Sequence, residues 1–510
     1  MATELSTEPT GTSLQRLAEQ SWQRIGGESL LIFEGDRFTG AQLAERTRRF
    51  AQGLIDAGLR PGERVVLCMA NCPEVGIAYS AVWRAGGVNT PVLFLLSDEE
   101  LRHVLSDSEA SYVITTPDFL PKVQAAGEGL PSLRGVILAT GEAPGTLSYA
   151  ELEAAAEGDL VDRDPAEMAA LLYTGGTTGR SKGVMLSHNA MSAAAWAAVT
   201  RSHDADMNVA LTPLPLSHAY GLMISTLGLH APDGSTSVLM RWFDPAGWLS
   251  LAVEHRVTIG AVVPSMLQML LAMPLEDHDL SALRRMTSGG APLLAEVRAE
   301  FARRLPNVEL MEGYGLTETA ALVSSSPPGA VRPGAVGTPV PGAQVRLEKP
   351  DGTDAAVGED GEICVRGPML MTGYWNSPEA TAEAMRGGWF HTGDVGRFDA
   401  DGYLYVVDRL KDLIIRGGFN VYPRDIEDAM LTHPDVVACG VVGKPDPKQG
   451  EEVVAFVQLR PGASVTEEDL VRFASEHISK AKYPRDVRIV DAVPLTSVFK
   501  TDRKALRKLL

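Results

Sequence analysis

The chain has 510 residues, which is more than a single hydrophobic core accommodates, so at least two domains are expected. Hydrophobic residues make up 45% and charged residues 22% of the chain, the profile of a globular protein. The formal net charge of -19 argues against non-specific binding to nucleic acid or to an anionic membrane surface. An anionic ligand would therefore need local basic groups and backbone donors.

The N-terminus and the cysteines are typical of a cytoplasmic protein. Residues 1–12 are polar and acidic, without the basic and apolar segments of a signal peptide, and they predict a disordered tail. The cysteines at positions 68, 72, 364 and 439 lie in apolar stretches and are expected to pack in the core of a protein from a reducing compartment. No apolar run reaches the length of a membrane-spanning helix.

The predicted elements of the first half alternate between helices and buried strands. Residues 41–57 have an amphipathic helical pattern, and Thr39 is placed to cap that helix. Buried strands are predicted at 64–69, 111–115, 135–138, 235–240 and 258–263. This alternation is typical of α/β layers with largely parallel sheets.

Beyond about residue 332 the pattern changes. Glycine and proline become dense, and Asp-Gly turns at 351–352 and 401–402 separate short strands, which predicts a β subdomain. A strand at 403–407 precedes the polar stretch 408–412, where a domain boundary is expected. The ~100 residues that follow suffice for a small domain. Helices are predicted there at 424–431 and 467–477, and strands at 436–442 and 452–459.

The segment from Tyr173 to Lys182 is the most informative part of the sequence. It combines glycines, threonines and a lysine between two apolar runs, 168–172 and 184–186. Glycine lets backbone N–H groups approach an anion, and the hydroxyls and the lysine add donors and positive charge. An ordinary turn does not require this combination. The expected ligand is a polyphosphate, held by Thr174, Gly175, Gly176, Thr177, Thr178, Gly179 and Lys182.

A Walker-type loop requires glycine immediately before the lysine, where this chain has Ser181. The segment instead resembles the signature loop of the adenylate-forming superfamily, which comprises acyl-CoA synthetases, luciferases and the adenylation domains of peptide synthetases. The chain resembles in particular the CoA synthetases for fatty or aryl acids. Ser181 replaces the family's usual proline, which changes the stiffness of the loop and removes no functional group.

A second motif runs from Tyr314 through Gly315 to Thr319 and offers an aromatic face, a hydroxyl and a carboxylate. On its own it would also suit a capped helix N-terminus. The resemblance implies that Tyr314 and Gly315 pack against adenine and that Thr317 contacts the α-phosphate. It also implies that Glu318 binds Mg²⁺ as a hard oxygen ligand.

Asp394 ends the stretch Trp389-Phe390-His391-Thr392-Gly393-Asp394. A carboxylate after a turn can accept hydrogen bonds from both hydroxyls of a ribose, although a lone aspartate more commonly caps a turn. The stretch matches a motif of the superfamily, and by that resemblance Asp394 binds the ribose of ATP.

The stretch 408–423 resembles the family's hinge segment. The resemblance implies that Arg409 reaches ribose or phosphate and that Lys411 is the hinge. It also implies that Gly417 and Gly418 bring the backbone close to the pantetheine arm of CoA. Without the other motifs, this stretch would read as a strand, a turn and a helix with exposed charges.

The segment 496–504 resembles the loop that carries the family's catalytic lysine, which is Lys500 in this chain. The lysine is expected to neutralise charge as the substrate carboxylate attacks the α-phosphate. Phe499 stands where the family usually has glycine, an exchange that restricts the freedom of the loop to insert.

Two further segments are expected to shape the acyl pocket. Leu214 to Gly221 resembles the family's gating motif, with His218 at the gate, and Ser288 to Pro292 resembles the strand and turn beside adenine and the acyl group. Lone histidines and Ser-Gly-Gly turns are more often structural, so the assignment depends on the order of the motifs along the chain. The implied acyl-pocket residues are His218, Ala219, Tyr220, Gly221, Ser288, Gly289 and Gly313. The adenine site adds Gly289, Gly290, Ala291 and Pro292.

The resemblance spans residues 13–510 and implies a specific α/β architecture. An N-terminal adenylation domain, 13–408, would contain two α/β subdomains and a β subdomain. A hinge, 409–411, would join it to a small mobile α+β domain, 412–510, with the active site in the cleft between the two domains.

The implied activity is ATP-dependent acyl-CoA ligation with Mg²⁺. A carboxylate attacks ATP to give acyl-AMP and pyrophosphate, and the CoA thiol then displaces AMP. The gating motif lacks the aspartate that relatives activating amino acids carry there, so the acid is expected to be apolar: fatty, aryl or bulky alicyclic. The expected partners are this acid, ATP and CoA. Neither nucleic acid nor an integral membrane segment is expected, and a homodimer is a candidate assembly because dimers are common in the family.

Three alternatives remain open. The acyl group could pass to the thiol of a carrier protein instead of CoA. The chain could be a binding or half-reaction homologue that has lost adenylation, which Phe499 beside Lys500 suggests. A luciferase-like oxygenase shares the adenylate chemistry and is not excluded by the motifs.

Overall fold

The computed structural model describes residues 11–25, 29–174, 181–202, 204, 206–231, 234–480, 482–495 and 501–510. The chain divides into two compact units, one made of Met1–Gln344 with Arg366–Phe390 and the other of Val345–Val365 with His391–Leu510. Both units combine helices with sheets, so the predicted α/β class is confirmed. Over the part described, no helix combines the length and the apolar character needed to cross a bilayer.

The first unit contains a mainly parallel sheet of eight described strands. In sheet order they are Gly373–Tyr374, Lys182–Ser187, Met168–Thr174, Val88–Pro91, Arg64–Cys68, Tyr112–Thr115, Gly135–Leu138 and Leu147–Ser148. The pairings that involve Lys182–Ser187 are antiparallel, and the others are parallel. The segment predicted to bind phosphate therefore joins two neighbouring antiparallel strands at one side of the sheet.

A second sheet of the same unit has nine described strands. In sheet order they are Thr338–Pro339, Ser324–Ser325, Glu309–Tyr314, Arg285–Ser288, Ile259–Val262, Val209–Thr212, Thr236–Leu239, Leu30–Phe33 and Asp36–Thr39. The central strands are parallel, so the carboxyl ends of Arg285–Ser288 and Glu309–Tyr314 meet at one edge. Ligands of open parallel sheets bind at that kind of edge.

Helices connect and cover the strands of the first unit. They span Leu14–Ile25, Gly40–Asp56, Pro73–Arg84, Asp98–Asp107, Leu120–Gly127, Tyr149–Glu153, His188–Ser202, Ala219–Leu227, Pro245–Glu254, Pro264–Leu271, Ala295–Arg304 and Pro378–Ala384. The predicted cap at Thr39 is confirmed: its hydroxyl accepts from the Gln42 N–H at 3.2 Å, and the Gln42 side chain accepts from the Thr39 N–H at 2.8 Å. This reciprocal pair satisfies N–H groups that the first helical turn leaves open.

Buried apolar side chains hold the layers of the first unit together. One cluster joins Leu211 of the nine-stranded sheet to the helix residues Trp248, Leu267 and Phe301. A second cluster joins Val113 of the eight-stranded sheet to the helix residues Val104 and Val123. The four cysteines are buried free thiols, as the sequence predicted for core residues.

The second unit contains two smaller sheets. One has the order Gln344–Glu348, Asp360–Arg366, Phe390–Phe398 and Leu404–Arg409. The other has the order Phe419–Val421, Ile414–Arg416, Gly450–Leu459 and Val436–Asp446, with Asp486–Ile489 paired to Gly450–Leu459. Helices span Pro423–Leu431, Glu467–His477 and Arg503–Arg507. A β-rich part and an α+β part were both expected in this region, and the predicted hinge at 409–411 remains a prediction.

Candidate active site

The motif around Thr317 and Glu318 forms a hydrogen-bonded turn at the carboxyl end of a strand. The strand Glu309–Tyr314 is followed by a short 3₁₀ helix, Thr317–Thr319. The Thr319 hydroxyl accepts from the Leu316 N–H and donates to the Leu316 carbonyl, both at 3.0 Å. The Glu318 carbonyl accepts from the Met371 N–H at 2.8 Å. These bonds fix the backbone from which Thr317 and Glu318 project.

Tyr374 links this turn to the strand that carries Lys182. Its hydroxyl donates to Oε1 of Glu318 at 2.9 Å. The Lys182 ammonium lies 5.2 Å from the centre of the Tyr374 ring, within range of a cation–π contact. The strand Gly373–Tyr374 pairs with Lys182–Ser187, with Tyr374 opposite Val184. Two motifs that are far apart in sequence therefore meet through one tyrosine.

Sequence reasoning missed Tyr374. The residue lies in Thr372-Gly373-Tyr374-Trp375, where an aromatic residue after glycine is a weak signal. Burial, and then the Glu318 carboxylate, raise the pKa of Tyr374 above its usual value. The phenol therefore remains a hydrogen-bond donor at neutral pH.

Glu318 has the chemistry that Mg²⁺ requires. Magnesium in nucleotide sites is commonly held by one or two carboxylates together with substrate phosphates. A carboxylate has about four lone-pair sites, and the Tyr374 hydroxyl uses one of them on Oε1. The donor set at this turn therefore fits the predicted magnesium site.

Thr174 and Lys182 flank the predicted phosphate loop. They are paired across the antiparallel strands Met168–Thr174 and Lys182–Ser187. Gly175, Gly176, Thr177, Thr178 and Gly179 lie outside the described residues, as do Phe499 and Lys500. Their predicted roles remain predictions.

Several predicted acyl-pocket residues lie together at the edge of the nine-stranded sheet. The Tyr220 and Thr287 hydroxyls are 3.2 Å apart. A Cβ at Gly289 would lie 3.6 Å from the Tyr220 ring and 3.4 Å from the Gly313 carbonyl oxygen. Burial raises the pKa of Tyr220, and the hydrogen bond to Thr287 partly opposes that shift. One side of this cluster is therefore a neutral phenol that is hydrogen-bonded to Thr287 and lies beside Gly289.

The gating motif builds the start of the helix Ala219–Leu227. His218 caps that helix, with Nδ1 accepting from the Tyr220 N–H at 3.3 Å. A Cβ at Gly221 would lie 2.1 Å from the Pro215 carbonyl oxygen, so the turn requires glycine. His218 thus has a structural task besides its predicted place at the gate.

The remaining predicted nucleotide residues of this unit follow the strand Arg285–Ser288. Ser288 is buried, and its hydroxyl has no hydrogen-bond partner among the described residues. Gly290, with φ of +82°, begins the turn that contains Ala291 and Pro292. A positive φ favours glycine, which explains its presence at that position.

In the second unit, two predicted nucleotide-binding residues form an ion pair. Asp394 and Arg409 are opposite each other on neighbouring antiparallel strands. Arg409 Nε lies 3.1 Å from Oδ1 of Asp394, and Asp394 is only 4% exposed. The sequence predicts that Asp394 binds ribose and that Arg409 reaches ribose or phosphate, and the fold brings the two side chains together.

The predicted hinge and CoA residues lie close along the chain in the same unit. Lys411 is in a short 3₁₀ helix, Leu410–Asp412, and burial followed by the neighbouring Arg409 lowers its pKa. Gly417 and Gly418 form the tight turn between Ile414–Arg416 and Phe419–Val421, with φ of +57° and +82°. Such a turn needs positive φ at both central positions.

A mixed cluster in the second unit has donors that could hold a metal. Ligand atoms of Glu348, Cys364 and His391 lie within 4.8 Å of one another. The His391 Nδ1 is already 2.8 Å from Oε2 of Glu362 and 3.4 Å from Sγ of Cys364. A hydrogen-bond network accounts for these positions without an ion.

Comparison with known proteins agrees with these motifs. The family model AMP-binding enzyme matches residues 18–375, and the model AMP-binding enzyme C-terminal domain matches residues 425–500. A feruloyl-CoA synthase of Amycolatopsis sp is 38% identical over 487 residues, which cover 93% of this chain and 94% of that protein. A long-chain-fatty-acid–CoA ligase of Bacillus subtilis (strain 168) is 32% identical, with 97% and 94% covered.

Solved structures show the same fold. The crystal structure of ATP-bound MatB from Rhodopseudomonas palustris aligns with a TM-score of 0.89 at 32% identity, covering 98% of this chain and 99% of that one. The matches extend over nearly the whole chain, and the family inferred from the motifs is confirmed. This chain belongs to the AMP-binding enzyme family.

Proposed function

We propose that this enzyme is an ATP-dependent acyl-CoA ligase that activates an apolar carboxylic acid as an acyl-adenylate. The main support is that relatives named as CoA ligases for aryl and fatty acids match more than 90% of the chain. Further support comes from two groups of side chains. Lys182, Tyr374 and Glu318 offer a positive charge for phosphate and a carboxylate for Mg²⁺, and the Asp394–Arg409 pair offers a hydrogen-bond acceptor and donors for the nucleotide.

In the first half-reaction, a carboxylate oxygen of the acid attacks the α-phosphorus of ATP. The bond between the α- and β-phosphates breaks, pyrophosphate leaves and acyl-AMP forms. Thr174, Lys182 and the intervening loop hold the β- and γ-phosphates, and Thr317 contacts the α-phosphate. Lys500 neutralises the charge that accumulates at the α-phosphate.

The nucleotide contacts are proposed from the motif residues of each unit taken by itself. Tyr314 packs on adenine beside the turn at Gly290, and Asp394 accepts hydrogen bonds from the ribose hydroxyls. Arg409, held by Asp394 at 3.1 Å, has its remaining N–H groups for ribose or phosphate. Glu318 holds Mg²⁺, which neutralises phosphate charge when it is bound.

In the second half-reaction, the CoA thiolate attacks the carbonyl carbon of acyl-AMP. The thioester forms, AMP leaves, and the thiol proton passes to solvent. Gly417 and Gly418 provide a backbone without side chains, along which the pantetheine arm of CoA lies. Lys411 is the hinge about which the C-terminal domain rotates between the two steps. One active site then serves two reactions.

We further propose that the acid is aromatic. The 38% identical relative is named as a feruloyl-CoA synthase. The Tyr220 phenol, which is hydrogen-bonded to Thr287 and lies beside Gly289, offers a flat and weakly polar wall. The gating motif has no acidic residue between Leu214 and Gly221 to pair with a substrate ammonium, which disfavours amino acids.

The decisive experiment measures AMP and pyrophosphate release with Mg-ATP across ferulate, other hydroxycinnamates, benzoates and fatty acids, each with and without CoA. The proposal expects turnover with a hydroxycinnamate or benzoate and stoichiometric acyl-CoA. Turnover restricted to fatty acids would overturn the aromatic assignment alone. Pyrophosphate release without acyl-CoA indicates a carrier-protein acceptor. Thioester formation from supplied acyl-AMP, with no reaction from any acid, indicates loss of adenylation.

A further inference from the structure

The approach to Asp394 is shaped by a carboxylate on the neighbouring strand. Glu362 lies in the strand Asp360–Arg366, and its side chain is 10% exposed. Its Oε1 accepts from the Gly393 N–H at 3.1 Å, and its Oε2 accepts from the His391 Nδ1 at 2.8 Å. The Glu362 carboxylate therefore binds the His391 side chain and the Gly393 backbone N–H, on the two sides of Thr392.

The residues before Asp394 belong to the strand Phe390–Phe398, and they are tied to the neighbouring strand at a third point. The Thr392 hydroxyl donates to the Ile363 carbonyl at 2.8 Å and accepts from the Asp394 N–H at 3.0 Å. Gly393 has φ of +70°, a conformation that a non-glycine residue adopts only with strain. The backbone that presents Asp394 is consequently fixed on both sides of Gly393.

We propose that Glu362 is a positioning residue for nucleotide recognition, and that it acts through His391 and Gly393 to aim the Asp394 carboxylate at the ribose hydroxyls of ATP. This inference rests on the proposed function, in which Asp394 binds ribose. Glu362 itself touches neither the nucleotide nor the reacting atoms.

A carboxylate suits this task better than an amide of the same shape. Two N–H donors contact Glu362, one on each carboxylate oxygen. Glutamine has one carbonyl oxygen, so its NH₂ group would replace one of the two acceptors. Facing Gly393, it would leave a buried N–H unpaired; facing His391, it would force the imidazole into the Nε2–H tautomer and replace a charged acceptor by a neutral amide. Glu362→Gln therefore weakens the hydrogen bonding of residues 391–393 while the side-chain volume stays the same.

The test compares ATP with 3′-deoxy-ATP in the full-length enzyme. A hydroxyl that is hydrogen-bonded to a charged group is discriminated from its deoxy analogue by about tenfold or more in kcat/KM. The inference expects Glu362→Gln to reduce the preference for ATP severalfold while the KM values for the acid and CoA stay close to wild type. If Glu362 positions Asp394, the variant lowers kcat/KM for ATP more than kcat/KM for 3′-deoxy-ATP. General damage to the enzyme lowers both values by the same factor.

Asp360→Asn is the matched control. Asp360 lies two residues earlier on the same strand, and its carboxylate accepts from Arg397 Nε at 2.8 Å. This variant makes the same acid-to-amide change on the same face of the strand. Its preference for ATP over 3′-deoxy-ATP should match wild type.

A second pair of variants covers the case in which Glu362→Gln yields no folded protein. His391→Asn retains a donor near the position of Nδ1 and should preserve the preference for ATP. His391→Phe retains a ring without the donor and should reduce it. An equal loss of kcat/KM with both nucleotides in Glu362→Gln or His391→Phe overturns the inference.

Two further results separate the inference from the proposed function. Wild-type enzyme that uses both nucleotides equally well would show that Asp394 does not bind ribose. A wild-type preference that disappears in Asp394→Ala and persists in Glu362→Gln would leave the ribose role intact and overturn the role of Glu362. One equivalent of zinc in the purified enzyme would also overturn it, because His391 and Cys364 would then be metal ligands.

Discussion

The Tyr374 hydroxyl donates a hydrogen bond to Oε1 of Glu318 at 2.9 Å, and the same ring lies 5.2 Å from the Lys182 ammonium. Tyr374 thus joins the carboxylate proposed to hold magnesium and the lysine proposed to hold phosphate. Its strand is anchored by pairing with the strand that Lys182 begins. The geometry of the phosphate site therefore depends on a residue outside both motifs.

Replacing Tyr374 with phenylalanine should weaken the use of Mg-ATP. The change removes one hydrogen bond to a charged group, which is worth about 1.5–3 kcal/mol. We expect adenylation to need severalfold more Mg²⁺ for half-maximal rate, and Mg-ATP to raise the melting temperature by less than in wild type. Tyr405→Phe, which removes a phenol that bonds to Asp399 at 3.4 Å, is the control. Wild-type magnesium dependence in Tyr374→Phe would contradict the role.

Lys500→Ala should separate the two half-reactions. The lysine is proposed to neutralise charge only in the attack on the α-phosphate, so pyrophosphate exchange should fall by orders of magnitude. Thioester formation from supplied acyl-AMP and CoA should largely persist. Rapid quench assays of each step provide the measurement, and an equal loss in both steps would show that the assignment is wrong.

Two glycines of the acyl region should respond differently to alanine. At Gly221 the new Cβ would lie 2.1 Å from the Pro215 carbonyl oxygen, so Gly221→Ala should destabilise the fold by about 1–3 kcal/mol or more. At Gly289 the nearest atoms are 3.4 Å and 3.6 Å away, so Gly289→Ala should fold normally. We expect Gly289→Ala to raise the KM for aromatic acids severalfold. Thermal unfolding and acid-dependent kinetics distinguish the two variants. A normal KM for every acid in Gly289→Ala would place the acyl group elsewhere.

Two buried histidines should make stability fall as the pH drops below 6.5. Burial, and then nearby arginines, lower the pKa values of His188 and His230 to about 4. The unfolded chain binds protons at these sites near pH 6.5, so the stabilisation is complete above that pH and is lost as the pH falls towards 4. One pKa unit corresponds to about 1.4 kcal/mol, so each site should cost roughly 2 kcal/mol at pH 5.

The measurement is denaturant unfolding at pH 7 and pH 5. The variants His188→Asn and His230→Asn should each lose less stability between these two pH values than wild type does. His477→Asn is the control, because His477 is exposed. A pH dependence identical to wild type in both core variants would mean that other groups dominate acid unfolding.

The sequence was sufficient for features that depend on neighbours along the chain. The capping residue Thr39, the helix 467–477 and the strand 135–138 lie where they were predicted, because caps and hydrophobic periodicity act over a few residues. The order of motifs around Thr174, Thr317 and Asp394 was also sufficient to identify the family, since each motif is a contiguous stretch.

Tertiary structure alone revealed the groups that orient these motifs. Tyr374 reaches Glu318 over 56 positions of sequence, and Glu362 reaches Gly393 over 31 positions. Neither residue has a spacing or a composition that marks it, because each acts on a partner from another element of the fold. The sequence by itself determined the family, the fold class and the predicted reacting groups through local patterns. Strand pairing decided which side chains hold those groups in place, because only the sheet registers bring residues distant in sequence within hydrogen-bond distance.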